Sequence, residues 1–269
     1  IVPDNLKLDL HSIIYPEWCN WLQMNGNLTH EEMQKTFNCG VGYITFIKPI
    51  TRPNPLRVCV MGSTKGTVLD AIVNSINETN SILHNKIEIV NVISNKEKSG
   101  ILDRAKSHGL NTCYKKMDSK LESKTEYYNK LSEQLEEDDV DYILCIGWMS
   151  ICPPTFISKW ENKCINVHPS LLPKFSGKMN MDVHEEVLQS GEKETGCTVH
   201  IMTNEVDKGS IITRKKCQVK SNDTPELLKQ RVQDLEGIAL TETLYYAYNN
   251  LLVNMENKKF IGIVKSIEI

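Results

Sequence analysis

Nowhere in the 269 residues does an apolar run approach the ~20 residues that a membrane-spanning helix needs. No basic, apolar leader opens the chain, so no signal peptide is expected. Lysine plus arginine number 31 against 34 acidic residues, a net charge of −3, and the two signs are interspersed. The basic footprint of a nucleic-acid binder is therefore missing. Cys-x-x-Cys is missing too. The nine cysteines (Cys19, Cys39, Cys59, Cys113, Cys145, Cys152, Cys164, Cys197 and Cys217) are odd in number and lack the spacing of a zinc or redox site. Several lie inside apolar runs such as Tyr142-Ile143-Leu144-Cys145-Ile146, where free cysteine packs as a small hydrophobe. That usage points to a reducing, cytoplasmic setting. Gly-x-Gly-x-x-Gly and Gly-Lys-Ser/Thr are also absent, which disfavours a dinucleotide and a Walker A loop. What remains, 40% hydrophobic and 24% charged residues, is ordinary soluble globular composition. The first residue is Ile1, so the chain is expected to be processed or cut from something longer.

Thr51-Arg52-Pro53-Asn54-Pro55-Leu56 is the clearest break, because paired prolines oppose helix and central strand alike. It divides residues 1–52 from a linker at 53–56 and a domain over 57–269. In the domain, strands are predicted at 57–61, 87–93, 112–115, 142–146 and 164–167. Helices are predicted at 67–83, 97–108 and 125–136 from apolar residues at helical spacing. Gly109 is a candidate C-cap. Later come strands at 197–202 and 210–215, a helix over 224–248 and a closing strand at 260–267. This is an α/β fold, a doubly wound, mostly parallel sheet with right-handed crossovers, carrying a short N-terminal α+β appendage. Ligands in such sheets bind beyond the carboxyl ends of the strands. That rule marks the loops at 62–67, 147–152 and 166–177.

Gly62-Ser63-Thr64-Lys65-Gly66-Thr67 lies between the first strand and its helix. It is either a plain turn or a cradle of N–H groups for an anion at a helix N-terminus. Asn166-Val167-His168-Pro169 ends a strand, and alternation sends Asn166 and His168 to one face. They form either a hydrogen-bonded structural pair or a catalytic one. Asp207, in Val206-Asp207-Lys208-Gly209, is either a turn aspartate or a carboxylate reaching the same cleft. In the second case it is expected to raise the His168 pKa and make the ring a proton donor near pH 7.

These residues resemble the folate-dependent glycinamide ribonucleotide transformylase family. The match runs through Asn166-x-His168-Pro169-Ser170-Leu171-Leu172-Pro173, Gly177, His184, Glu194-Thr195-Gly196-Cys197-Thr198-Val199-His200 and Val206-Asp207-x-Gly209. Val92-Ile93-Ser94-Asn95-Lys96 and Gly147-Trp148-Met149 match as well. The resemblance implies formyl transfer from 10-formyltetrahydrofolate, as co-substrate, to the amine of glycinamide ribonucleotide, without a metal, a membrane or a nucleic acid. It assigns His168 as general acid, Asn166 as oxyanion donor and Asp207 as the partner of His168. Gly66, Thr67 and Val68 would meet the substrate phosphate, and Gln233 and Glu236 the ribose-phosphate portion. Met149, Ser150, Ile151 and Cys152 would line the folate pocket, with Thr203, Asn204, Glu205 and Val206 on its far side. Lys124 aligns near a family arginine that meets the folate.

The chain departs from the family at Thr64 and Val68 in the phosphate loop and at Ser150, where an arginine is common. It is also about three residues longer between Gly177 and His184. Residues 30–42, His-Glu-Glu-Met-Gln-Lys-Thr-Phe-Asn-Cys-Gly-Val-Gly, resemble the end of aminoimidazole ribonucleotide synthetase, with Trp21-Leu22 upstream. The two enzymes are fused in some organisms, so fusion to other purine-synthesis domains is expected, with no synthetase activity in so short a piece. Three other readings stay open: another formyl-folate enzyme such as a hydrolase or tRNA formyltransferase, a non-catalytic nucleotide- or folate-binding module, and, last, an NAD-binding domain.

Overall fold

The computed structural model describes residues 54–178, 181–249 and 252. The segment resembling the synthetase and the closing strand expected at 260–267 lie outside them.

Five parallel strands are laid down first: β1 (Leu56–Met61), β2 (Ile87–Ser94), β3 (Thr112–Tyr114), β4 (Tyr142–Cys145) and β5 (Cys164–His168). Two more, β6 (Glu194–Ile201) and β7 (Ile211–Gln218), extend the sheet in antiparallel steps. The order is β3-β2-β1-β4-β5-β6-β7. Helices α1 (Thr67–Asn77), α2 (Gly100–Ser107), α3 (Lys124–Glu137), α4 (Pro154–Lys159), α5 (Met181–Gln189) and α6 (Pro225–Tyr248) complete the described residues.

Strand alternation explains the double winding. Val58 and Val60 of β1 and Leu144 of β4 join one core, with Leu69 and Ile72 of α1, Ile101 of α2 and Leu240 of α6. Cys59, Met61, Ile143 and Cys145 point the other way, onto Tyr128 and Leu131 of α3 and Phe156 of α4. Both faces of β4 are buried, as its unbroken apolar run requires. No helix among the described residues is long and apolar enough to cross a membrane.

The first helix is shorter than its apolar spacing predicts. It ends at Asn77 because Glu78 is extended, and Leu83 reaches the core from a turn instead. The second starts at Gly100, three residues later than expected, after an extended Ser99. Two short helices, α4 and α5, add to those expected; the buried face of α5 is Val183, His184 and Val187. Because β1 is flanked by β2 and β4, the chain reverses direction across the sheet there, opening a crevice at the carboxyl ends of β1 and β4.

Candidate active site

A cleft of about 1260 Å³ occupies that crevice. It is lined by the loops after β1, β4 and β5, by the β6–β7 turn and by one face of α6.

Gly66 lines one end of the cleft. It caps α1 at φ 63°, and a Cβ there would lie 2.4 Å from Ile101, so only glycine fits. No side chain caps α1, so its first N–H groups have no side-chain partner there, and Thr67 and Val68 both line the cleft. Ser63 ties this loop to its neighbours: its N–H donates to the Gly147 carbonyl at 3.0 Å. Ser63 Oγ accepts from Met149 N at 3.0 Å and donates to Asn95 Oδ1 at 2.7 Å. Arg104 Nε donates to Lys65 O at 3.0 Å while its guanidinium pairs with Asp70 of α1. Lys65 itself is exposed on the rim.

At the centre, β5 delivers Asn166 and His168, and the antiparallel pairing sets His200 across from Asn166 and Thr198 across from His168. His168 Nδ1 lies 3.3 Å from Asp207 Oδ2, with 4% and 7% of the two side chains exposed. Its Nε2 lies 3.1 Å from the Phe175 carbonyl, which can only accept. Asp207 is fixed from two sides. Gly177 N donates to Oδ2 at 2.8 Å, and its own backbone sits at φ 57°, a conformation costly for a side-chain-bearing residue. Gly209 makes that turn fit, since a Cβ there would lie 1.7 Å from Ile201 O.

The electrostatics overturn one expectation. The His168 pKa is lowered, not raised. Burial outweighs the attraction of Asp207 and the Phe175 carbonyl, because removing the imidazolium from water costs more than those neighbours return. Asp207 is held below the usual carboxylate range: burial would raise it, but His200, the Gly177 N–H and His168 together win. Glu236 is pushed up to about 8 by burial, only partly offset by Lys229, so the carboxyl is protonated at neutral pH.

The cleft brings together Asn166, His168, Asp207, Gly66, Thr67, Val68, Gln233, Glu236, Met149, Ser150, Ile151, Cys152, Thr203, Asn204, Glu205 and Val206. Ile151 and Val206, 58% and 42% exposed, offer an apolar rim for a flat ring. Lys124 does not line the cleft. It stands in the first turn of α3, where its charge reaches Cys152. His200 belongs to the centre but was not singled out. Its Nδ1 donates to Ile201 O at 2.9 Å, so with one ring proton Nε2 is a lone pair, 3.1 Å from Asn166 Nδ2. The same nitrogen lies 3.6 Å from Asp207 Oδ1. In the sequence it is marked only as the last residue of the matching stretch Glu194–His200; its place opposite Asn166 comes from the strand register. Among the described residues, no group of three His, Cys, Asp or Glu side chains is arranged to hold a metal ion.

A family model described as formyl transferase matches residues 56–244. The trifunctional purine biosynthetic protein adenosine-3 of Gallus gallus is 32% identical over 91% of this chain and 29% of its own length. The chain thus spans less than a third of the curated relatives it matches. The solved phosphoribosylglycinamide formyltransferase of Coxiella burnetii is 34% identical with a TM-score of 0.66, covering 73% of this chain and 89% of that one. The enzyme of that name from Anaplasma phagocytophilum is 32% identical with a TM-score of 0.63, covering 72% and 87%.

Proposed function

The chain belongs to the formyl transferase family, and from that premise we propose that it carries the formyl group of 10-formyltetrahydrofolate to the amine of glycinamide ribonucleotide, in purine synthesis. The observation that carries the reading is the meeting of Asn166, His168 and Asp207 in one cleft that also holds the uncapped start of α1.

The chemistry follows from what each group can give. The neutral amine attacks the formyl carbon, a C–N bond forms, and negative charge gathers on the formyl oxygen. One Asn166 Nδ2 proton is spent on His200, and the other is available to that oxygen. The attacking amine must lose a proton and the departing folate nitrogen must gain one. His168, with its lowered pKa, accepts the first as a neutral ring. As imidazolium it faces Asp207 and becomes an acid strong enough to deliver the second. The C–N bond to the folate then breaks, releasing tetrahydrofolate. Accepting a proton from substrate requires a lone pair, so Nε2 must first leave the Phe175 carbonyl and the single ring proton must stand on Nδ1, facing Asp207.

Gly66, Thr67 and Val68 take the substrate phosphate in this reading, with Lys65 adding charge, and Gln233 and Glu236 take the ribose. Met149 to Cys152 and Thr203 to Val206 hold the folate. Residues 1–52 are read as the tail of a synthetase domain fused upstream, supported by residues 30–42 and by the trifunctional relatives. A cytosolic setting belongs to the same proposal.

The test is turnover. With 10-formyltetrahydrofolate and glycinamide ribonucleotide together, release of tetrahydrofolate is expected, and none with the folate alone. Release without the ribonucleotide would make the protein a hydrolase. Saturable folate binding without release would make it a binding module.

A further inference from the structure

The family's usual arginine in the folate loop is replaced by Ser150, and α3 supplies what the serine needs. Tyr128 of α3 is fully buried, wedged edge-on against Phe156 at 5.0 Å and Tyr127 at 5.2 Å. Its position is therefore fixed by packing. Trp148 Nε1 donates to the Tyr128 hydroxyl at 2.9 Å, and that hydroxyl donates to Ser150 Oγ at 3.0 Å, the nearer of its two oxygen acceptors, with the Ser150 carbonyl at 3.4 Å. Burial keeps the phenol protonated, so it remains a donor. Each bond polarises the next in the same sense. Ser150 thus receives a proton from the protein side. Among the described residues no acceptor takes its own proton, and the residue lines the cleft.

We propose that Tyr128 is a positioning residue that orients the Ser150 hydroxyl as an uncharged hydrogen-bond donor to the formyl-folate, in place of a cation. The inference rests on the proposed function for the identity of the ligand. Tyr128 never touches the ligand; it acts through Ser150. A ring oxygen or nitrogen of the folate that accepts one hydrogen bond fits this donor.

The experiment is steady-state kinetics of the full chain and four variants with 10-formyltetrahydrofolate and glycinamide ribonucleotide, with thermal melts run in parallel. Ser150→Ala is expected to raise KM for the folate by about 5- to 10-fold, the worth of one net hydrogen bond, leaving kcat and the KM for the ribonucleotide unchanged. Tyr128→Phe is expected to give a similar rise. The double variant is expected to be no worse than Ser150→Ala alone, because the two act as one unit. Ser150→Thr, which keeps the hydroxyl, is expected to restore the wild-type KM. Wild-type turnover with unchanged folate KM in Ser150→Ala overturns this inference alone, as do additive effects in the double variant. If Tyr128→Phe melts early, the Ser150→Ala and Ser150→Thr pair still decides. No turnover by the wild type overturns the proposed function and this inference with it.

Discussion

His168 Nδ1 and Asp207 Oδ2 stand 3.3 Å apart, one at the end of β5 and the other in a left-handed turn between β6 and β7. The contact is made by the antiparallel return of the chain, and the same carboxylate ties down the loop after β5 through Gly177. The carboxylate therefore serves ring and loop at once.

Loss of the ring should remove the chemistry and leave the fold. His168→Ala is expected to lower kcat by about 10²–10⁴-fold, the usual contribution of a positioned acid–base group, with a cooperative melt retained. Near-normal turnover in this variant would remove His168 from the mechanism.

Asp207→Asn tests the pairing through pH. The carboxylate works to raise the His168 pKa against burial, so the amide should let it fall further. The acid limb of the kcat/KM profile is expected to move to lower pH. Stability gives a second sign. Asp207 is depressed on folding, so its contribution is present above the unfolded value near 3.9 and fades as pH drops through the folded value. The amide variant should lack that acid-dependent loss. An unshifted limb would reject the pairing.

Glu236 has the opposite sign. Its folded pKa is raised to about 8 from the ordinary 4.5, so folding loses stability across that window as pH rises. Glu236→Gln, which cannot ionise, should melt above the wild type by a margin that grows from about pH 5 to 8 and then levels off. Parallel melting curves across this range would mean the carboxyl is not desolvated as described.

The loop after β1, proposed to take the substrate phosphate, can be probed by charge and by shape. Lys65→Met should raise KM for the ribonucleotide by about 10-fold, as expected for loss of a charge-assisted contact, with a smaller salt dependence than wild type. Gly66→Ala meets both a positive φ and Ile101, and should cost at least about 1–2 kcal/mol of stability. An unchanged salt dependence in Lys65→Met would place the phosphate elsewhere.

Much of this was legible in the residues. Strict alternation put Asn166 and His168 on one face, and both lie on the cleft. The buried strand β4 announced itself as a continuous apolar run. The His168 pKa was not legible, because adjacency to a carboxylate can be guessed from a motif but depth of burial cannot. Helix α5 was hidden because a histidine takes one of its inward positions. His200 was hidden because its partner is set by strand register, which local sequence does not reveal.

The Ser63 hydroxyl joins the loop after β1 to the loop after β4 through one oxygen. Beside it the Ser63 N–H donates to the Gly147 carbonyl at 3.0 Å, so one residue holds both loops. The two sides of the cleft are consequently coupled: truncating that serine would leave the backbone bond from Ser63 N to Gly147 O between them, and both loops would loosen by degrees from a single missing oxygen.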